Sequence, residues 1–318
     1  MHLLHPSPDE ARLGLRAMKM VASADGPLTA AARNLLQAAQ RQILHTDHDL
    51  DALPPIAPDE LAAGFRDPGL RAQIVAGMLV VSLTDGPPSP AKIARVQGFA
   101  AALAVRSTAV EDLERLAQRR TLLFRLDFLR RGHIADMLRQ QYEDTGLLGS
   151  VKALLGLRGL LADRELAARY HALEGLPEGS LGRALFAHYR GNGFAFPGER
   201  HGFPEAGVYH DLAHVLSGYG TDPVGELQIG AFVAGFKRDN PIYVLLFVML
   251  TFSAGINVTP LPQPHMTGIL ETPGLADRML AALERGSQLT LDLSDHWDFW
   301  PWLPLPLDEA RRRLGLAA

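Results

Sequence analysis

Apolar positions recur along this chain at spacings of three and four residues, as in helices with one buried face, and no run alternates as a half-buried strand does. The pattern is plainest in residues 18–27 (MKMVASADGP) and 78–87 (MLVVSLTDGP), two versions of one segment. Each reads as an apolar helix closing at an Asp-Gly turn, with Gly26 or Gly86 as terminator and a Ser, Thr or Asp nearby to cap the next helix. Amphipathic segments follow at 28–44 and 90–105, and a Pro/Asp-rich connector at 45–58 separates the copies. Helical hairpins packed face to face are the simplest arrangement. Residues 111–142 read as one or two long helices. Their arginines (Arg119, Arg120, Arg125, Arg130, Arg131) alternate with Glu111, Asp112, Glu114 and Asp127, as on a solvated face; a phosphate-binding patch is the alternative. Residues 146–159 are Gly-rich but lack the Gly-Lys-Ser/Thr ending of a phosphate loop, and read as a helical connector.

From about residue 166 the pattern changes. A turn at 176–182 leads into an amphipathic helix that Gly191-Asn-Gly193 ends, and a Gly/Pro-rich loop at 194–204 delivers the chain to His210-Asp-Leu-Ala-His214. Val208, Leu212, Val215, Leu216 and Tyr219 form an apolar stripe there, with His210, Asp211 and His214 on the other side. At about 100° per residue these three fall within about 100° of arc. Asp222-Pro223 has the form of an N-cap followed by Pro at the first helical position, which puts Glu226 in an opening turn. A sharp turn at Gly218–Gly220 can fold that helix back onto the histidines. Two imidazoles with carboxylates suit a divalent transition metal, whereas the bland alternative is a solvated helix face. A zincin needs Glu where Asp211 stands. A phosphohydrolase of the HD type needs an earlier His and a later Asp, for which His188 or His201 and Asp239 are candidates.

Composition narrows the choices. The chain has 318 residues, 47% of them hydrophobic, enough for a substantial core. A net charge of −4 supplies no field for nucleic acid. With no cysteine, any metal must be held by nitrogen and oxygen. The longest apolar run, 242–250, is shorter than the roughly 18 residues a membrane span needs, and the opening residues lack the basic and apolar regions of a signal peptide. The expected location is therefore cytoplasmic, with peripheral contact at the inner membrane face. Residues 229–236 and 242–252 offer either buried helices or an apolar groove for a lipid. Trp297, Trp300 and Trp302 offer a core anchor, a subunit interface or a membrane-contact segment.

Two family resemblances sharpen these expectations. Over residues 8–130 the paired Asp-Gly turns resemble the TerB-like (tellurite-resistance) helical domain. Some members of that family bind metal through an acidic residue early in the helix after the turn. Ala30, Ala31 and Ala32 stand there in the first copy and Pro90, Ala91 and Lys92 in the second, so Asp25 and Asp85 read as turn residues. Over 166–317, His210-Asp211-x-x-His214 with Glu226 after eleven further residues resembles the metal signature of the coenzyme Q (ubiquinone) biosynthesis COQ-four family. His214-Val-Leu-Ser-Gly218, Val224-Gly-Glu-Leu227, Leu176-Pro-Glu-Gly-Ser-Leu-Gly182 and the closing Asp308-Glu-Ala-Arg-Arg-Arg-Leu-Gly-Leu316 resemble the flanking family sequence. Leu212 and Ala213 replace aromatics usual between the ligands, and Leu185 replaces a common Tyr.

The expected fold class is thus all-α, with two helical domains. A TerB-like domain covers 1–135, a connector 136–165 and a metal-binding domain 166–318. The resemblance implies one divalent ion (zinc, iron, manganese or cobalt) on His210, Asp211, His214 and Glu226, acting catalytically through the metal. Four protein ligands would close a tetrahedral zinc site, whereas six-coordinate iron, manganese or cobalt would keep two positions open. The implied activity is oxidative decarboxylation of a polyprenylated hydroxybenzoate in ubiquinone biosynthesis. The implied partners are that prenylated quinone precursor and a second copy or other quinone-biosynthesis proteins. The rival functions are a non-catalytic prenyl-lipid scaffold and a metal-dependent hydrolase.

Overall fold

The computed structural model describes residues 3–258 and 265–316; the first two residues of the chain opening lie outside it. Among the described residues the fold is all-helical, with two isolated β-bridges and no sheet. The first hairpin joins α1 (Pro8–Ala22) to α2 (Ala30–Ala39), which runs on into a π-helical turn at Gln40–Leu44. After the short α3 (Pro58–Gly64), the second hairpin joins α4 (Pro68–Ser82) to α5 (Pro90–Ala102). The two Asp-Gly turns are tied reciprocally. Ser89, the N-cap of α5, donates to Asp25 Oδ1 at 2.8 Å, and Thr29, the N-cap of α2, donates to Asp85. Lys92 Nζ completes the tie at 2.7 Å from Asp85 Oδ2. Each aspartate is therefore spent on the other copy's helix start.

Residues 111–142 form three helices rather than one or two: α6 (Thr108–Ala117), α7 (Thr121–Arg131) and α8 (His133–Leu157). Arg119 breaks the first pair with a φ of 60°, and Gly132 breaks the second. Arg131, one of the arginines of this run, and Arg115 both reach the buried Asp112 at 2.7 Å, in an internal ion cluster that also takes the Tyr243 hydroxyl. Residues 146–157 belong to α8, which kinks at Gly146. Large apolar side chains stay exposed along 122–161, among them Leu122, Leu126, Leu147, Leu148 and Leu160.

The remaining helices are α9 (Arg164–His171), α10 (Leu181–Asn192), α11 (Val208–Ser217), α12 (Pro223–Phe236), α13 (Ile242–Phe252), α14 (Leu275–Ser287) and α15 (Leu307–Arg313). α12 and α13 are buried almost all round, and each Leu, Val or Phe so enclosed contributes roughly 1.5–3 kcal/mol. α12 crosses α14 at a glycine contact. A Cβ on Gly235 would lie 2.4 Å from the Leu283 carbonyl oxygen, and one on Gly286 would lie 2.1 Å from that of Phe232. α13 also packs on α4, and α14 on α2, so buried residues from both halves join one hydrophobic cluster. The tryptophans are partly buried against that cluster; Trp300 donates to Glu205 at 3.0 Å and carries Arg169 stacked 3.9 Å above its ring.

Candidate metal centre

α11 starts after the 3-10 turn Glu205–Gly207 and ends at Gly218, which adopts a φ of 79°. Val208, Leu212 and Leu216 are fully buried and fix the roll of the helix. Its last carbonyls are held from outside. Arg285 donates to Ser217 O at 2.8 Å, and Arg311 to Leu216 O at 2.9 Å. These guanidiniums satisfy acceptors that a helix end leaves unpaired. Asp222 then caps α12 by accepting from Gly225 N at 2.8 Å. A Cβ on Gly225 would stand 1.9 Å from the Gly220 carbonyl oxygen, so only glycine lets the turn close this tightly. That closure brings Glu226 back over α11.

Three of the four expected ligands converge. His210 Nε2 and His214 Nε2 are 3.3 Å apart. Glu226 Oε2 lies 3.6 Å from the first and Oε1 3.4 Å from the second. Donors bonded to one ion at about 2.0–2.1 Å in tetrahedral directions stand roughly 3.4 Å apart, so the cluster already has the spacing of a coordination shell. His214 Nδ1–H donates to Tyr219 O at 3.1 Å, which leaves the Nε2 lone pair facing the cluster. A backbone carbonyl accepting from the other ring nitrogen is the usual way a metal-binding imidazole is oriented.

Asp211 is placed elsewhere. Its Oδ2 accepts from the Tyr189 hydroxyl at 2.5 Å, and its Oδ1 lies 3.7 Å from His188 Nε2. It is not among the ligand atoms that lie within 4.8 Å of one another, which come from His210, His214 and Glu226. The helix turns the short aspartate toward α10, where the buried phenol of Tyr189 meets it. Burial, then the neighbouring Asp211 charge, pushes the Tyr189 hydroxyl well above its ordinary range, so it stays a donor.

The charges around the three-residue cluster are complementary. Burial pushes the Glu226 carboxyl up, but His210 and His214 outweigh it and bring the pKa down to about 2. Burial pulls the His210 imidazole down, and Glu226 reverses that, leaving it raised. The carboxylate is thus ionised at neutral pH, as a ligand must be.

His210 and Glu226 line a cavity of about 280 Å³ whose other walls include Val233, Val244, Phe247, Val248 and Phe252. Both long apolar helices are therefore buried and also form a pocket wall. Leu185, Leu212 and Ala213 lie in the core and do not line this cavity. His133, at the start of α8, does line it; burial first, then the nearby His210 and Lys237, lowers its pKa to about 3. Its Nδ1 is buried without a hydrogen-bond partner. No sequence spacing ties His133 to the centre, since it arrives through tertiary packing alone. His188 stacks on His214 with ring centroids 5.4 Å apart, backing that ring from behind. His201 lies on the end of α8, its N–H donating to Gly156 O at 2.8 Å, and Asp239 is exposed beyond the far end of α12.

Compared with known proteins, the chain matches no family model and no curated protein. No helix among the described residues is long and apolar enough to cross a membrane.

Proposed function

We propose that His210, His214 and Glu226 hold one divalent transition-metal ion at the edge of the apolar cavity. We further propose that the protein removes the ring carboxyl of a prenylated hydroxybenzoate during ubiquinone biosynthesis. The observation that carries this reading is the opening of a His/His/Glu donor set directly onto an apolar chamber. In the overall reaction the ring–carboxyl bond breaks and CO2 leaves. The ring carbon gains a hydroxyl from O2, the second oxygen atom leaving as water with two electrons from a reductant. A bound ion supplies Lewis-acid or oxygen-activating chemistry beside the ring. With Asp211 outside the cluster, a bound ion would be held by His210, His214 and Glu226 alone, fewer protein donors than a closed structural site supplies.

The chain's own residues do the rest. His214 and Glu226 are fixed by the Tyr219 carbonyl and the Gly225 turn, so the donors need little rearrangement. The valine and phenylalanine walls exclude water and orient an aromatic ring. His133 offers a neutral imidazole with an unsatisfied Nδ1, suited to a hydrogen bond from a head-group hydroxyl or carboxylic acid. At about 280 Å³ the chamber is smaller than the roughly 300–1,000 Å³ of a drug-sized pocket, so it fits a ring and leaves most of a polyprenyl tail outside. The exposed leucines of α7 and α8, interleaved with Arg125, Arg139, Lys152 and Arg158, suit a membrane surface in which that tail dissolves. Flotation with anionic liposomes checks this: binding that Leu122→Gln/Leu126→Gln/Leu148→Gln weakens is expected, and no flotation of the wild type counts against it.

Quinone profiling of cells lacking the chain tests the reaction. A carboxylated precursor should accumulate and be cleared by wild type but not by His210→Ala. Rescue by His210→Ala would favour the scaffold, and normal quinone without the chain would remove the pathway assignment.

A further inference from the structure

A second group of ligating side chains sits far from the first in sequence. His5 lies in the segment before α1, His45 directly follows the π-helical turn, and Glu284 is on α14. One ligand atom from each lies within 4.8 Å of the others. We propose that these three residues form a second site for a zinc-class divalent ion, which clips the chain's opening segment and the α2 turn to α14.

Three observations point to a ligand, and the backbone at His45 sets one of the side chains. His5 Nδ1–H donates to the Ile43 carbonyl at 3.2 Å, leaving the Nε2 lone pair toward Glu284 Oε1, 3.7 Å away. His214 has the same tautomer, with its Nδ1–H on a backbone carbonyl. Glu284 Oε2 is buried with no hydrogen-bond donor, a costly state for a carboxylate oxygen unless a cation faces it. His45 is held in the left-handed region, at φ 49° and ψ 46°, immediately after the π-helical turn. A left-handed residue commonly closes a helix, and this one carries the His45 ring beside that of His5. The two imidazoles are stacked with centroids 5.8 Å apart, so small ring rotations bring both nitrogens onto one ion.

The surroundings hold the three parts in register. Leu4 exchanges two hydrogen bonds with the Gln73 side chain, at 2.8 and 2.7 Å, pinning the opening segment to α4. Buried Gln40 accepts from Thr46 N through its backbone and brackets His48 with its side chain, fixing the loop that carries His45. Two imidazoles and one carboxylate are a zinc-type donor set, whereas calcium and magnesium prefer all-oxygen shells. Clipped this way, Leu3 and Pro6 are held over an apolar cavity of about 130 Å³ that Ile43, Leu245 and Leu283 also line.

Equilibrium dialysis of tag-free full-length protein against Zn²⁺, with metal counted by mass spectrometry, tests the site. Wild type should hold two ions. His5→Gln and His45→Asn should each hold one, and His210→Ala/His214→Ala should also hold one. Asn tolerates the left-handed backbone and His5 is exposed, so neither variant threatens the core; circular dichroism checks this. One ion in His210→Ala/His214→Ala that disappears on adding His45→Asn supports the clip whatever becomes of the first centre. Unchanged stoichiometry in His5→Gln and His45→Asn, or no ion in His210→Ala/His214→Ala, would overturn it.

Discussion

The His210/His214/Glu226 centre and the His5/His45/Glu284 cluster use the same three donors in opposite settings. In the first, His214 is 2% exposed and the ligands edge an apolar chamber. In the second, His5 is 48% exposed and the ligands join three separate segments at the surface. The first is built from neighbours: one helix, one glycine turn and the first turn of the next helix. The second exists only once α14 has packed against α2. A proposed ligand set beside a largely apolar cavity suits chemistry on a bound molecule, whereas one that bridges distant segments suits a clip.

The largest expected effect comes from removing a ligand at the first centre. His210→Ala should lose one metal equivalent and more activity than the about 10–100-fold typical of changes to residues that only orient a ligand, while the opening segment stays clipped. Metal counting together with conversion of a prenylated hydroxybenzoate checks this; full activity in the metal-depleted variant would break the distinction between centre and clip. Gly225→Ala comes next. Its Cβ has no room beside Gly220, so a loss of about 1–3 kcal/mol in stability is expected, with weaker metal binding at an intact ligand set. Thermal unfolding with and without Zn²⁺ should show a smaller metal-induced rise in Tm than wild type; an equal rise would mean that the turn does not position Glu226.

Asp211→Asn should have the smallest effect. Asn keeps an acceptor for the Tyr189 hydroxyl, so metal stoichiometry should be unchanged. Loss of the first ion in this variant would restore Asp211 as a ligand.

These contrasts also show what was legible in the residues. The helical class, the paired Asp-Gly hairpins, the Asp222 cap and the return of Glu226 over α11 follow local rules of periodicity, capping and turn chemistry. Helical arc and the family resemblance both group Asp211 with the histidines, and neither can show that Tyr189 on α10 donates to its carboxylate. Arg119 ends a helix without a glycine or proline nearby, so the break between α6 and α7 left no mark. His133 and the His5/His45/Glu284 cluster were illegible for a different reason: tertiary packing, not spacing, brings them together.

His210, His214 and Glu226 are proposed to share one ion. Anomalous diffraction at the zinc edge, from crystals of the zinc-loaded protein, tests it most directly. A peak is expected within bonding distance of both Nε2 atoms and a Glu226 oxygen, with Asp211 still on Tyr189. A fully loaded crystal with no peak there, and the two histidines hydrogen-bonded to each other instead, would contradict it.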